Sequence, residues 1–232
     1  GLASYTDGTV SATTNAQTIG GSGVYRNLAA APTANLTSLT VNNTNATGVT
    51  LSVPLSVSGT LTMTSGIINT TTTNLLTLGT ATVAGTLAGT PSDTNMVRGP
   101  FARTIANANA NTNYILFPVG KTTYAPIWAA PATTAVSVMK AETFDTNTGT
   151  QSAAISNMAT NRRWELPLVS GTINNINVRL GDAGVLATSI PVQAPSASGE
   201  YTSTFGAVAT AVVGVSTQSN TPVLSASYTG YL

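Results

Sequence analysis

The carboxylates of this 232-residue chain are Asp7, Asp93, Glu142, Asp145, Glu165, Asp182 and Glu200. Glycoside hydrolysis needs two carboxylates on one cleft. Glu142 and Glu165 fall on predicted strands and could meet across a sheet. An ion pair with Lys140, Arg162 or Arg163 is the commoner use of such side chains. Histidine and cysteine are both missing. That removes the usual acid–base group, the usual metal ligand and any disulfide framework. The expectation is a chain without catalytic, metal-binding or cofactor-binding residues, and not an enzyme.

Other fragments of known chemistry are incomplete. "VGKT" at 119–122 is the tail of a phosphate-binding loop, but Ile115 stands where that loop needs its first glycine. A turn after a core strand is expected instead. "SVMK" at 137–140 has the Ser-x-x-Lys spacing of some acyl enzymes, yet it lies in an alternating strand rather than at a helix start. In "DTNTG" at 145–149, Asp145 and Asn147 offer oxygens and Gly149 a turn, but no bidentate glutamate follows. Lys140, with Glu142 and several asparagines near it in sequence, raises an internal Lys–Asn crosslink, which would appear as a missing water mass. Asn35, Asn42, Asn45 and Asn69 occupy Asn-x-Ser/Thr sequons that so Asn- and Thr-rich a composition produces by chance. Trp128 and Trp164 are candidate ligand-stacking aromatics, although single aromatics on strands more often pack in a core.

The elements that would position these residues are strands. In "GVTLSVPLSVSGTLTMTSG" (48–66), Val49, Leu51, Val53, Leu55 and Val57 alternate with Thr and Ser, and Leu61 and Met63 resume after Gly59. A period of two puts the apolar set on one face of a strand. "LTSLTVNN" and "NLLTLGTATVAGT" repeat the pattern, and breaks at Gly or Asn fit a solenoid-like coil or a meander. After residue 95, "NYILFPVG" (113–120), "AVSVMKAETF" (135–144), "RRWELPLV" (162–169), "INNINVRLGD" (173–182) and "YTSTFGAVATAVVGVS" (201–216) read as strands of a β-sandwich. A short helix is a candidate within 153–164. The expected organisation is an N-terminal strand or donor segment over 1–30, a Thr-rich β repeat region over 31–95 and a sandwich region over 96–232, which could be continuous with the repeats. The expected class is all-β: an antiparallel β-sandwich of jelly-roll or Ig-like type, with a solenoid-like or meander repeat in the N-terminal half.

Charge is scarce: 6% of residues, with net charge +1, where a quarter is usual. No basic run exceeds Arg162–Arg163, so nucleic-acid binding has no footing. No apolar stretch is long enough for a transmembrane helix. No signal peptide opens the chain, and Gly1 in place of a start methionine fits a processed form.

The run from "LTVNN" through "NLLTLGTATVAGT", then "VRGPFART" (97–104), "YILFPVGKTTYAPI" (114–127) and "RRWEL" (162–166), resembles secreted, β-rich surface or adhesin-like repeat proteins of Bacteroidetes-type bacteria. The likeness covers about residues 35–170 and lies in the order of the pieces. It implies an extracellular or cell-surface location, export by the gliding-associated route and a structural role. Such proteins are long and multi-domain, so a chain of this length is expected to act alone or by assembling.

Sheet edges without guarding charge invite pairing with another chain. The sequence therefore points to a structural subunit of an extracellular filament or surface layer, built by β-strand addition between copies. The assembly residues would be Leu2, Ala3, Tyr5 and Val10 at one end and Tyr228, Tyr231 and Leu232 at the other. The alternative is an adhesin or carbohydrate-binding module. Partners are then other copies, and beyond them glycans or surface proteins.

Overall fold

Alternating apolar and hydroxyl residues build the rungs of a parallel β-solenoid over the first half of the chain. The structure, a computed structural model, describes residues 8–12, 16–20, 36–202, 205–206 and 209–232. Leu2, Ala3, Tyr5, Asp7 and Asn35 lie outside the described residues. Each of the first three rungs supplies one strand to each of two sheets. The first is β1 (Gly8–Ala12) with β2 (Gln17–Ile19), and the second β3 (Leu36–Asn43) with β4 (Val49–Leu51). The third is β5 (Leu55–Ser65) with β6 (Ile68–Asn69). Next come β7 (Leu76–Leu78) and β8 (Thr86–Gly89), with β9 (Val97–Arg98). The last rung is β10 (Phe101–Ile105), β11 (Ile115–Phe117) and β12 (Val119–Gly120), where Pro118 breaks the expected strand 113–120 in two.

One sheet runs β1-β3-β5-β7-β10 and the other β2-β4-β6-β9-β12, with parallel neighbours throughout. Register stacks like on like. Leu36, Val57 and Leu78 form a buried column in the first sheet. Val49, Ile68, Val97 and Val119 form its counterpart in the second. Outward rows such as Ser38–Thr60–Thr86 hold the hydroxyls. That is the use of the alternation: β-branched side chains pack on both faces of a pleated rung, one dry and one wet.

Pairing turns antiparallel after β10. The following strands are β13 (Ile127–Thr133), β14 (Ser137–Phe144), β15 (Thr150–Gln151), β16 (Arg163–Glu165), β17 (Leu168–Ser170) and β18 (Ile173–Gly181). They are completed by β19 (Glu200–Tyr201), β20 (Ala209–Val212), β21 (Ser216–Ser219) and β22 (Val223–Leu224). β14 extends the first solenoid sheet antiparallel to β10 and carries β16 and β17 on its other side. A separate sheet runs β11-β13-β18-β21-β20, with β22 also on β18. β15 pairs with β19 in parallel.

An antiparallel jelly-roll or Ig-like sandwich is therefore not the architecture; the sheets are largely parallel and the arrangement is solenoid-like. Period-two alternation reads the same for both, and only the return path of each rung through a second sheet separates them. Residues 153–164 hold no helix. Ile155 N–H closes a turn on the Ser152 carbonyl (3.0 Å), and Asn157 has φ +56°, which an α-helix cannot contain. Among the described residues the one helical element is the 3-10 turn Ser225–Ser227, and no helix is long and apolar enough to cross a membrane. One buried apolar cluster runs from Leu36 of the second rung to Leu232.

Candidate functional site

Trp128 and Trp164 are placed differently by their strands. Trp128 sits half-buried on the outer face of β13, directly opposite Arg179 of β18. The Arg179 guanidinium lies 5.6 Å from the Trp128 ring centre and 5.0 Å from that of Tyr114, and its Nε donates to Gln218 at 2.9 Å. Both rings thus already carry a cation. Trp164 is buried in β16, and its indole N–H donates to the Ala125 carbonyl at 2.9 Å.

Trp164 also lies under a cleft of about 450 Å³, a volume in the range of small-ligand sites. Two loops make its walls. The 153–161 loop contributes Ile155, Ser156, Asn157, Met158 and Asn161, and the 184–192 loop Val185, Leu186, Thr188, Ser189 and Ile190. Buried Arg162, Trp164, Leu180, Tyr201 and Leu232 line its inner side. Arg162 is fully engaged there. Its Nε donates to Asp182 (2.7 Å), one terminal nitrogen to Asp145 and the other to the Thr123 hydroxyl (2.9 Å). Burial pushes the Asp145 carboxyl up, but bonds from the Thr122 hydroxyl and amide, with Arg162, outweigh it and leave Asp145 below the usual range. The "DTNTG" turn therefore closes on an ion pair, and its Asp145 is occupied by protein donors. Tyr201 is 1% exposed, and burial raises its phenol. Its hydroxyl lies beside Asn147 yet makes no hydrogen bond of proper geometry.

Glu142 and Glu165 do meet: they are direct partners across β14 and β16. Burial, then the neighbouring Glu165 charge against the pull of Lys121, Lys140 and Arg163, leaves the Glu142 carboxyl above its usual value. Glu165 pairs with Arg163 at 3.1 Å. Neither carboxylate lines the cleft. The strand neighbours of Lys140 are Ala102 and Pro167 rather than asparagine. "VGKT" is β12 and its following turn, and Ser137 of "SVMK" donates to the Ala135 and Thr172 carbonyls.

The candidate assembly residues that the structure describes, Val10, Tyr228, Tyr231 and Leu232, are held by their own chain. Val10 lies in β1, in register with Val41. The Tyr228 hydroxyl donates to the Leu166 carbonyl at 2.8 Å. Tyr231 bridges Glu165 and Ala194, and Leu232 exchanges two backbone bonds with Trp164 (2.9 and 2.8 Å). No feature of the sequence marks the cleft, because its two walls are loops that mix apolar and polar residues without a period. Compared with known proteins, the chain matches no family model, no curated protein and no solved structure.

Proposed function

We propose that the chain is a structural subunit of an extracellular or cell-surface assembly, joined by strand addition between copies. The observation carrying this reading is the outermost rung. Among the described residues β1 and β2 each have a strand neighbour on one side, β3 and β4. Their other edges present backbone N–H and C=O groups, and the residues from Gly8 to Ser92 include a single charge, Arg26. Edges are normally guarded by charge. The far end of the first sheet is closed by antiparallel β14. Rung-to-rung contact alone would therefore give a closed pair, and a filament needs a second, different surface. β20 supplies one: its strand neighbour among the described residues is β21, and Val212, Val213 and Val215 at that turn are exposed.

Sedimentation and negative-stain microscopy of the purified chain test this. Concentration-dependent association is expected, and Thr9→Lys with Thr18→Lys should remove the rung-to-rung contact and leave at most small species joined through β20. A chain that stays monomeric at high concentration in ordinary buffers, or association untouched by the two lysines, would defeat the proposal.

A further inference from the structure

The cleft beside Trp164 is independent of the strand edges and calls for a ligand of its own. We infer that it binds a neutral saccharide unit. Its two charged side chains, Arg162 and Asp182, are bonded to each other, and Arg162 also to Asp145, so both are taken up by protein partners. What remains is neutral. The exposed Ser156, Asn157, Asn161 and Thr188 line the cleft with no side-chain hydrogen bond to another described residue, and the buried Tyr201 hydroxyl, beside Asn147, makes none of proper geometry. Ile155, Met158, Val185 and the Trp164 ring give apolar surface beside them. A sugar ring offers what this lining lacks: hydroxyls for amides and hydroxyls, and C–H faces for apolar side chains. An unpaired buried hydroxyl costs stability, because it has given up its water without gaining a partner. Its retention at a cleft wall is accounted for by a bound partner. Asn157, a non-glycine residue at φ +56°, holds a sparsely populated backbone shape on the same wall.

The chain has two tryptophans, so Trp128→Phe leaves Trp164 as a fluorescent reporter of the cleft. This variant is titrated with maltotriose, cellotriose and chitotriose, and with trigalacturonate and a neutral hexapeptide as controls. A saturable change with at least one neutral trisaccharide is expected, and none with either control. Adding Asn161→Ala or Tyr201→Phe should weaken binding roughly three- to tenfold, the loss of one hydrogen bond. Tyr201→Phe should also melt at the same or a higher temperature, since it removes an unsatisfied group; a purely structural tyrosine would lower it. Asn161 is exposed, so its variant keeps the test valid should the other fail to fold. No saturable change with any neutral trisaccharide, equal binding of trigalacturonate or peptide, or affinity unmoved by both substitutions would each overturn the inference.

Discussion

Arg103 ends a column of aliphatic side chains. It follows Leu36, Val57 and Leu78 in register and is 8% exposed, with no carboxylate partner among the described residues. Its terminal nitrogens donate to the Leu116 and Gly85 carbonyls at 2.6 and 3.1 Å, and its Nε has no partner. Burial strips water from the guanidinium and lowers its pKa to about 10. The residue thus ties β10 to β11 and to the segment just before β8, at a desolvation cost. Arg103→Ala should destabilise by about 3 kcal/mol in chemical unfolding, since two carbonyls and a cavity are left behind. Arg103→Met keeps the volume and removes the charge, and should cost clearly less. Glu142 gives a pH-dependent counterpart. Its folded-state pKa is raised above the ordinary carboxyl value, first by burial. A raised carboxyl favours folding fully below its unfolded pKa, and the contribution fades as pH rises through the folded value. Glu142→Gln should therefore melt higher than the parent at neutral pH, with the gap closing below about pH 4. A gap that widens on acidification would contradict the burial argument.

At the scale of elements, the solenoid depends on close approach between rungs at its corners. Gly66 has φ +102°, and a Cβ there would stand 2.1 Å from the Asn43 carbonyl oxygen of the preceding rung. Backbone cannot retreat from such a contact without unstacking β3 from β5. Gly66→Ala should cost about 2–4 kcal/mol, combining left-handed strain with the clash. Gly214 is the control: φ is +67°, but the nearest atom to its Cβ would be 3.8 Å away. Its alanine variant should cost only the conformational term, roughly 1 kcal/mol. Thermal melts of the two variants separate the causes. The sequence marked the strands well where alternation is long, as in 135–144 and 173–182, which became β14 and β18. It misjudged 201–216, which the structure divides among β19, β20 and the start of β21. The apolar run there belongs partly to an exposed turn, and composition does not distinguish a buried Val from one at a tip.

For the whole molecule, the shared apolar cluster predicts cooperativity. It contains Val57 and Leu78 from the rungs together with Ile176, Phe205 and Leu232 from the antiparallel part. Calorimetry should show one unfolding transition; two separated ones would mean that the solenoid and the rest fold independently. The residue pattern by itself determined the all-β class, the inward and outward faces of the rungs and the near absence of charge. Those are properties of side-chain spacing, and they hold for any arrangement that buries one face of each strand. Parallel or antiparallel pairing and the meeting of Glu142 with Glu165 were decided only by tertiary structure. So was the cleft, because its walls come from segments some thirty residues apart that become neighbours when β18 returns beside β13. Chain return sets those contacts, and a two-residue period carries no information about where a strand comes back.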